Sequence, residues 1–192
     1  MGVIGLKLYT SPASEPLTVS EVKARLRVTI SDEDTDLAAL LTECRELCEA
    51  ECHRAFITQT WVLYLDDFPR GRDKAIRLPL PPLQSVTHVK YYDVDGTQQT
   101  YSSANYHVAV GAEPGRVVPV DGNSWPTVDY GRPEAVEIRF VCGYGLAAAV
   151  PNAAKNAILV TMAERRENPA GAVALPPAAR RALDTLEYGE VV

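Results

Sequence analysis

The cysteines and histidines of this sequence are the residues with the most specific potential chemistry. Cys44, Cys48 and Cys52 recur at every fourth position and are followed by His53, and thiolate and imidazole groups are the usual ligands of zinc. In a helix this spacing spreads the three thiols over ~12 Å of one face, because each residue rises ~1.5 Å. One tetrahedral ion cannot reach all of them. We therefore interpret these thiols as small buried hydrophobic side chains.

The other candidates for catalysis or ligand binding lack the residues that would complete a known site. His88 and His107 lie in predicted strands, and the sequence contains no G-x-S-x-G turn that would present a nucleophile to them. The aspartates of the loop at 66–73 lack the alternating spacing of a calcium site. The glycines at 143–145 do not form a phosphate-binding motif. We therefore predict no catalytic residues, no metal site and no cofactor.

The elements that carry these residues begin and end with helices. Thr18 and Glu21 have the spacing of a capping box at a helix start. Acidic residues at 32–34 favour the start of a longer helix, in which apolar residues recur at helical spacing. Pro151 and Pro177 stand where proline is favoured, in the first turn of a helix. The predicted helices span residues 18–26, 32–56, 151–167 and a short stretch after 177.

Between the second and third helices the apolar period changes from 3.6 residues to two. Residues 58–65 are rich in β-branched and aromatic side chains, which indicates a strand. Asp95-Gly96 is a strong hairpin signal between two further apolar runs. The predicted strands span residues 58–65, 75–78, 85–92, 97–101, 106–110, 116–120 and 135–142. Short strands at this spacing favour an antiparallel sandwich or barrel.

Together these elements predict an α+β fold. It consists of a small helical unit, formed by two N-terminal helices and a C-terminal helix, with an inserted antiparallel β sandwich or barrel-like block and a C-terminal tail. We predict a helical core at 1–56 and 146–170, an inserted β domain at 57–145 and a docking tail at 171–192.

The composition argues against tight binding of nucleic acid or insertion into a membrane. The net charge is −6, and no segment concentrates the Lys and Arg that a phosphate-binding face requires. A mildly acidic surface can still line a path for DNA, because repulsion prevents adhesion. The apolar runs are shorter than the ~20 residues of a membrane-spanning helix, and the first residues lack the apolar core of a secretion signal.

Read in order, several phrases of the sequence resemble one protein family. They are PLTVSEVK at 16–23, ITQTW at 57–61, LPLPPLQSV at 78–86, EPGR at 113–116, SWP at 124–126, FVCGYG at 140–145 and the EN pair at 167–168. The ordered set is similar to the head–tail connector (adaptor) proteins of tailed phages, in the branch that carries a β insertion and also occurs in gene-transfer particles. The match spans roughly residues 15–168.

The resemblance implies a structural protein of the virion or phage-like particle, made in the bacterial host cytoplasm and located at the head–tail junction. It implies a homo-oligomeric ring, a dodecamer, beneath the portal protein, with a neck stopper or another tail-side protein on the opposite face. DNA would pass through the ring without specific binding, and no membrane would take part.

The resemblance also implies that the C-terminal segment reaches the portal protein. In this sequence that segment is a short amphipathic stretch after an Ala/Pro-rich linker, which is poorly suited to fold alone. The candidate portal-binding residues are Leu175, Leu183, Leu186 and Tyr188.

Two alternatives remain open at this point. The chain could be another neck or tail-completion protein of the same kind of particle. From a different class, it could be a metal-dependent hydrolase that uses Cys52, His53, His88 or His107.

Overall fold

The computed structural model describes residues 5–71, 73–168 and 174–186 of this α+β protein. The chain divides into two compact units. The β unit comprises residues 1–11 and 58–143, and the helical unit comprises residues 12–57 and 144–192. None of the described helices is both long enough and apolar enough to cross a bilayer.

The helical unit contains the predicted helices, which are α1 (Val19–Leu26), α2 (Asp34–Cys52), α3 (Asn152–Glu167) and α4 (Pro177–Asp184). The predicted capping box is confirmed, because the Thr18 side chain accepts from the Glu21 amide while the Glu21 carboxylate accepts from the Thr18 amide. The apolar faces of all four helices meet in one core, which includes Val22, Cys48 and Ile158.

A buried ionic cluster supports this core. The Arg45 guanidinium donates from Nε to Glu15 Oε2 at 2.8 Å and from Nη1 to Glu49 Oε2 at 2.5 Å. Glu49 Oε1 accepts from the Phe56 amide at 2.6 Å, so the cluster joins the segment before α1, the middle of α2 and the turn that leaves it. The carboxylates of Glu49 and Glu15 raise the pKa of Arg45 against the opposing effect of burial.

The β unit consists of two open antiparallel sheets. The first has the strand order β1 (Gly5–Thr10), β2 (Gln59–Leu65), β8 (Val136–Cys142), β4 (Leu83–Tyr92) and β5 (Gln98–Tyr101). The second has the order β3 (Ile76–Leu78), β7 (Gly115–Pro119) and β6 (Tyr106–Ala109). Neither sheet closes on itself, so the barrel alternative was wrong. Inward-facing residues such as Leu63, Ile138 and Val117 are fully buried.

The two sheets face each other closely at one side of the β unit. Gly115 of β7 lies against Leu83 of β4, and a Cβ atom at Gly115 would stand 2.5 Å from Leu83 Cδ2. The rings of Tyr101 in β5 and Tyr106 in β6 stack with their centroids 6.1 Å apart. Strands β6 and β7 therefore oppose the β4–β5 side of the five-stranded sheet.

The structure differs from the predicted domain division in two segments. Residues 5–10 form the edge strand β1, which pairs with β2 from Gly5↔Tyr64 to Thr10↔Thr60, although this segment was predicted to lie in the helical core. Residues 174–186 lie within the helical unit, where α4 packs against α2 and α3. Strand β1 has only six residues, and an alternation of that length is too short to identify a strand from sequence. Pairing with β2 supplies most of the stability of this strand.

Candidate docking surfaces

The predicted docking residues of the C-terminal segment face inward in the described chain. Leu183 is fully buried and Leu175 nearly so, and both belong to the core of the helical unit. Leu186 is half-buried against the same core, and Tyr188 lies outside the described residues. The amphipathic face that predicted a docking helix is real, but it docks on α2 and α3 of its own chain.

Two polar contacts reinforce the position of α4. The guanidinium of Arg54, itself buried, donates from Nε to the Leu186 carbonyl and from Nη1 to the Tyr144 hydroxyl at 3.1 Å. Arg180 Nε lies 2.6 Å from Glu51 Oε1 on α2. These contacts hold both ends of α4, since Arg180 stands in its first turn and Leu186 follows its last.

The cysteines that suggested a metal site are buried thiols. Burial raises the pKa of Cys44, Cys48 and Cys52 to about 12, which is what apolar surroundings do to a thiol. Cys52 Sγ donates to the Cys48 carbonyl at 3.0 Å, and His53 is exposed in the left-handed C-cap of α2. Among residues 5–71, 73–168 and 174–186, no three His, Cys, Asp or Glu side chains are grouped to hold a metal ion.

The two strand histidines have different surroundings and do not meet. His88 Nε2 lies 2.9 Å from Glu137 Oε1, and Arg139 Nη2 lies 3.6 Å from the same oxygen. The Arg139 guanidinium also stacks on the Tyr9 ring, 3.7 Å from its centroid. His107 is exposed on β6. This cross-strand network is typical of a sheet surface rather than of a nucleophile and its base.

The β unit contains an open groove lined by residues of β2, β3 and the loop between them. Its volume is about 610 Å³, and its base consists of Leu63, Leu65, Phe68 and Ile76. Leu63 and Leu65 belong to β2 and Ile76 belongs to β3, so the groove lies where these strands of the two sheets come near each other. We call it the overhang groove.

The edge strand carries two leucines on the same face of the sheet as Leu63. Leu6 pairs with Leu63 and Leu8 pairs with Trp61, and cross-strand partners share a face of the sheet. Leu6 and Leu8 are 37% and 38% exposed, although they lie on the face that is buried elsewhere in the sheet. The rim is charged but internally paired, by Arg70 with Asp67 and by Arg77 with Asp73. The four base side chains are at most 4% exposed, so little of their apolar surface is open to a ligand.

The second exposed apolar feature of the β unit is a tip formed by two turns. Val94, in the β4–β5 hairpin, is 66% exposed, and Tyr130, in the loop before β8, is 96% exposed. The overhang groove and this tip, which we call the Val94/Tyr130 tip, were both missed by sequence reasoning. A hairpin valine and a loop tyrosine carry no periodic signal, although the unusual placement of an aromatic residue between Asp129 and Gly131 could have drawn attention to the loop.

Comparison with known proteins gives matches at the level of structure. No protein-family model matches this sequence, and neither does any curated protein sequence. Among solved structures, a chain in the neck of an empty GTA particle computed with C6 symmetry has a TM-score of 0.80 at 22% identity. The alignment covers 98% of this chain and 98% of that chain.

Two further structures give the same result. A chain of the virion of a native gene transfer agent (GTA) particle has a TM-score of 0.75 at 23% identity. A chain in the neck of a native GTA particle computed with C12 symmetry has a TM-score of 0.75 at 21% identity. Both alignments cover 98% of each chain. This chain therefore shares its whole fold, both units included, with chains found in those particles.

Proposed function

We propose that this protein is a structural head–tail adaptor, which forms a ring beneath the portal protein, joins capsid to tail and lets DNA pass through. The observation that carries the proposal is the full-length structural match to chains of GTA necks and of a GTA virion. The resemblance of the sequence phrases to tailed-phage adaptors also supports it, because that resemblance depends on the order of residues and not on coordinates. The protein would act by binding, not by catalysis.

Symmetry supports the ring. Two of the matching necks were computed with C6 and C12 symmetry, so chains of this fold occur in particles with cyclic arrangements. A cyclic ring needs two different complementary surfaces on each subunit. We propose a dodecamer in the particle, located at the head–tail junction and built from chains made in the host cytoplasm.

The charge of the chain suits a DNA conduit. At a net charge of −6, the protein gains little from counterion release on contact with DNA. DNA would therefore slide past the ring without specific binding. Neither a cofactor nor a membrane enters this proposal.

For the portal contact we propose the C-terminal segment, 171–192, with Leu175, Leu183, Leu186 and Tyr188 as its apolar anchors. The first three pack on the helical unit in the free chain, so α4 must leave this position before Leu183 can touch another protein. Such a release would replace one buried contact by another, and its net cost is smaller than that of exposing the helix. The opposite face of the ring would receive a neck stopper or another tail-side protein.

A cysteine pair tests the release of α4. Glu51 and Arg180 form an ion pair between α2 and α4, so in the double variant Glu51→Cys and Arg180→Cys a reducible thiol crosslinker that spans a pair of long side chains can lock the helix. We expect portal binding to be lost on crosslinking and restored when a reductant cleaves the crosslink. The matched control is the single Arg180→Cys variant, which should bind under both conditions. Unchanged binding by the crosslinked double variant would rule out release of α4.

A second structural role in the same particle is the nearest alternative. A tail-completion or stopper protein could share this fold, and the matches do not distinguish the positions within a neck. Co-purification of this chain with the portal protein, and separately with the tail tube protein, tests the choice. An adaptor binds the portal alone, whereas a protein that binds only the tail tube belongs to the alternative.

A further inference from the structure

The residue that follows α4 is held by a buried arginine from another part of the helical unit. Arg54 comes directly after the C-cap of α2 and is only 5% exposed. Its guanidinium donates from Nε to the Leu186 carbonyl and from Nη1 to the Tyr144 hydroxyl at 3.1 Å. One planar group therefore joins the end of the C-terminal segment to the stretch of chain that leads into α3.

The end of α2 fixes the position of Arg54. The amides of His53 and Arg54 both donate to the Glu49 carbonyl, the second at 3.1 Å. The Phe56 amide donates to Glu49 Oε1 at 2.6 Å, and the Phe56 carbonyl accepts from the Tyr144 amide at 3.1 Å. Arg54 and its partner Tyr144 are therefore held by the same turn, so the guanidinium is oriented before it meets the Leu186 carbonyl.

Helix α4 has little stability of its own. It contains eight residues, whereas isolated helices shorter than about 12–15 residues are marginal in water. Its N-cap is Pro176, whose side chain cannot accept a hydrogen bond from the first turn. The helix therefore depends on the burial of Ala179 and Leu183 against the core and on its polar contacts with the rest of the unit.

The two polar contacts of this segment differ in burial. The side chains of Arg180 and Glu51 are 55% and 32% exposed, and exposed ion pairs contribute little because water and salt screen them. Arg54 is almost excluded from water, where a hydrogen bond from a charged donor is stronger. Water can replace the partner of Arg180 when α4 leaves, but it replaces the Leu186 carbonyl at Arg54 less easily. The Arg54 contact is thus the polar contact that opposes release most.

From these observations we infer that Arg54 is a latch, which keeps the C-terminal segment closed on its own helical unit. The inference rests on the proposed portal contact and deepens it, by naming the residue that controls the release of α4. Leu183 is fully buried in the closed chain, so this apolar anchor is hidden until the latch opens. Free copies would thus keep the apolar face of α4 covered until they reach the portal, and their apparent affinity would be lowered by the small fraction that is open.

Thiol labelling of the full chain tests the latch without any partner. The Ala179→Cys substitution places a thiol on the buried face of α4. The native Cys44 thiol, fully buried on α2 about 10 Å before Glu51, reports opening of the rest of the core. Arg54→Lys is added to this background, because lysine keeps the charge but cannot hold two acceptors in a fixed fork. Mass spectrometry of the labelled peptides gives both rates.

We expect Arg54→Lys to increase the labelling rate at position 179 roughly tenfold, without a change at Cys44. The matched control is Arg181→Lys, because Arg181 is an exposed arginine of the same helix and should change neither rate. If Arg54→Lys does not fold, Tyr144→Phe takes its place, since it removes the acceptor of Arg54 Nη1 and keeps the ring. A rise of about threefold at position 179 is then expected.

Two results would overturn the inference. Equal rates at position 179 with and without the substitution would mean that Arg54 does not oppose release. A parallel rise at Cys44 would mean that Arg54 stabilises the whole helical unit and is no latch.

Portal binding distinguishes failure of the latch from failure of the proposed function. A tenfold larger open fraction should tighten the apparent Kd for the portal protein about tenfold, which corresponds to about 1.4 kcal/mol. Faster labelling at position 179 with unchanged portal binding would support the latch and contradict the portal contact of the segment. Unchanged labelling would overturn the latch, whatever the affinity for the portal.

Discussion

In the helical unit the apolar faces of four helices are covered by one another, and the fourth helix completes the core with Leu183 and Ala179. In the β unit a five-stranded sheet faces a three-stranded one, and the difference in width leaves Leu6 and Leu8 of the edge strand uncovered. The exposed large apolar side chains of the first unit, Ile30 and Leu146, lie outside its helices. The second unit exposes Leu6 and Leu8 on an edge strand and Val94 and Tyr130 in two turns.

This difference suggests how one chain can be stable alone and still assemble. A subunit that must bind neighbours needs exposed apolar surface, but exposed surface costs stability and favours aggregation. Here the two demands fall on different units. The helical unit can provide stability, whereas the β unit can provide surfaces for other copies. The following predictions test that division.

Removal of Arg45 should give the largest loss of stability. The Arg45→Ala variant leaves the carboxylates of Glu15 and Glu49 without their shared guanidinium, and breaking one partner of a buried ion pair costs about 3–5 kcal/mol. Chemical denaturation at neutral pH measures the change in the free energy of unfolding.

The control for this prediction lies in the β unit. Arg70 pairs with Asp67 at 3.0 Å, but both side chains are well exposed, so Arg70→Ala should cost less than about 1 kcal/mol. Similar losses from the two substitutions would mean that the buried cluster does not stabilise the helical unit.

A smaller effect is expected where the two sheets approach most closely. In Gly115→Ala the new methyl group would stand 2.5 Å from Leu83 Cδ2 and 2.6 Å from Leu83 Cβ, which requires the sheets to move apart and costs about 1–3 kcal/mol. Gly111→Ala, in the same hairpin, is the matched control because its Cβ would meet nothing within 4 Å. Thermal unfolding of both variants measures the difference. A Gly115→Ala variant as stable as the wild-type protein would mean that the two sheets are not in close contact at Gly115 and Leu83.

The fold was largely predictable because its elements carry local signals. The capping box at Thr18 fixed the start of α1, and the alternation in 135–142 identified β8 to within one residue. The surfaces were not predictable, because they depend on contacts distant in sequence. Nothing in the sequence pairs Glu15 with Arg45, 30 residues away, or shows that Leu183 is covered by its own chain. The overhang groove depends on which strands of the two sheets lie near each other, and no local pattern encodes that.

The smallest predicted effect concerns pH. Burial raises the pKa of the Cys48 thiol from its ordinary 9.0 to about 12, so the unfolded chain ionises this thiol first as pH rises. The contribution of the protonated Cys48 thiol to the free energy of unfolding is therefore complete below pH 9 and declines between pH 9 and pH 12. At pH 10 the loss from this thiol should be on the order of 1 kcal/mol.

Comparison with a variant isolates that contribution. Tyr and Lys residues also titrate at high pH, so the informative quantity is the difference between the wild-type protein and Cys48→Ala. Urea unfolding at pH 8 and pH 10 should give a steeper decline for the wild-type protein. Parallel declines would indicate that the Cys48 thiol ionises equally well in the folded chain, which contradicts its burial in the core.

The most direct test of the proposed role is the mass of this chain in the presence of the portal protein of its own particle. Native mass spectrometry, or light scattering on a purified complex, would count the copies of the 20.9 kDa chain. The adaptor proposal predicts a stable complex with twelve copies on each portal ring. A chain that leaves the portal unbound, and joins only the tail tube or no particle component at all, would contradict it.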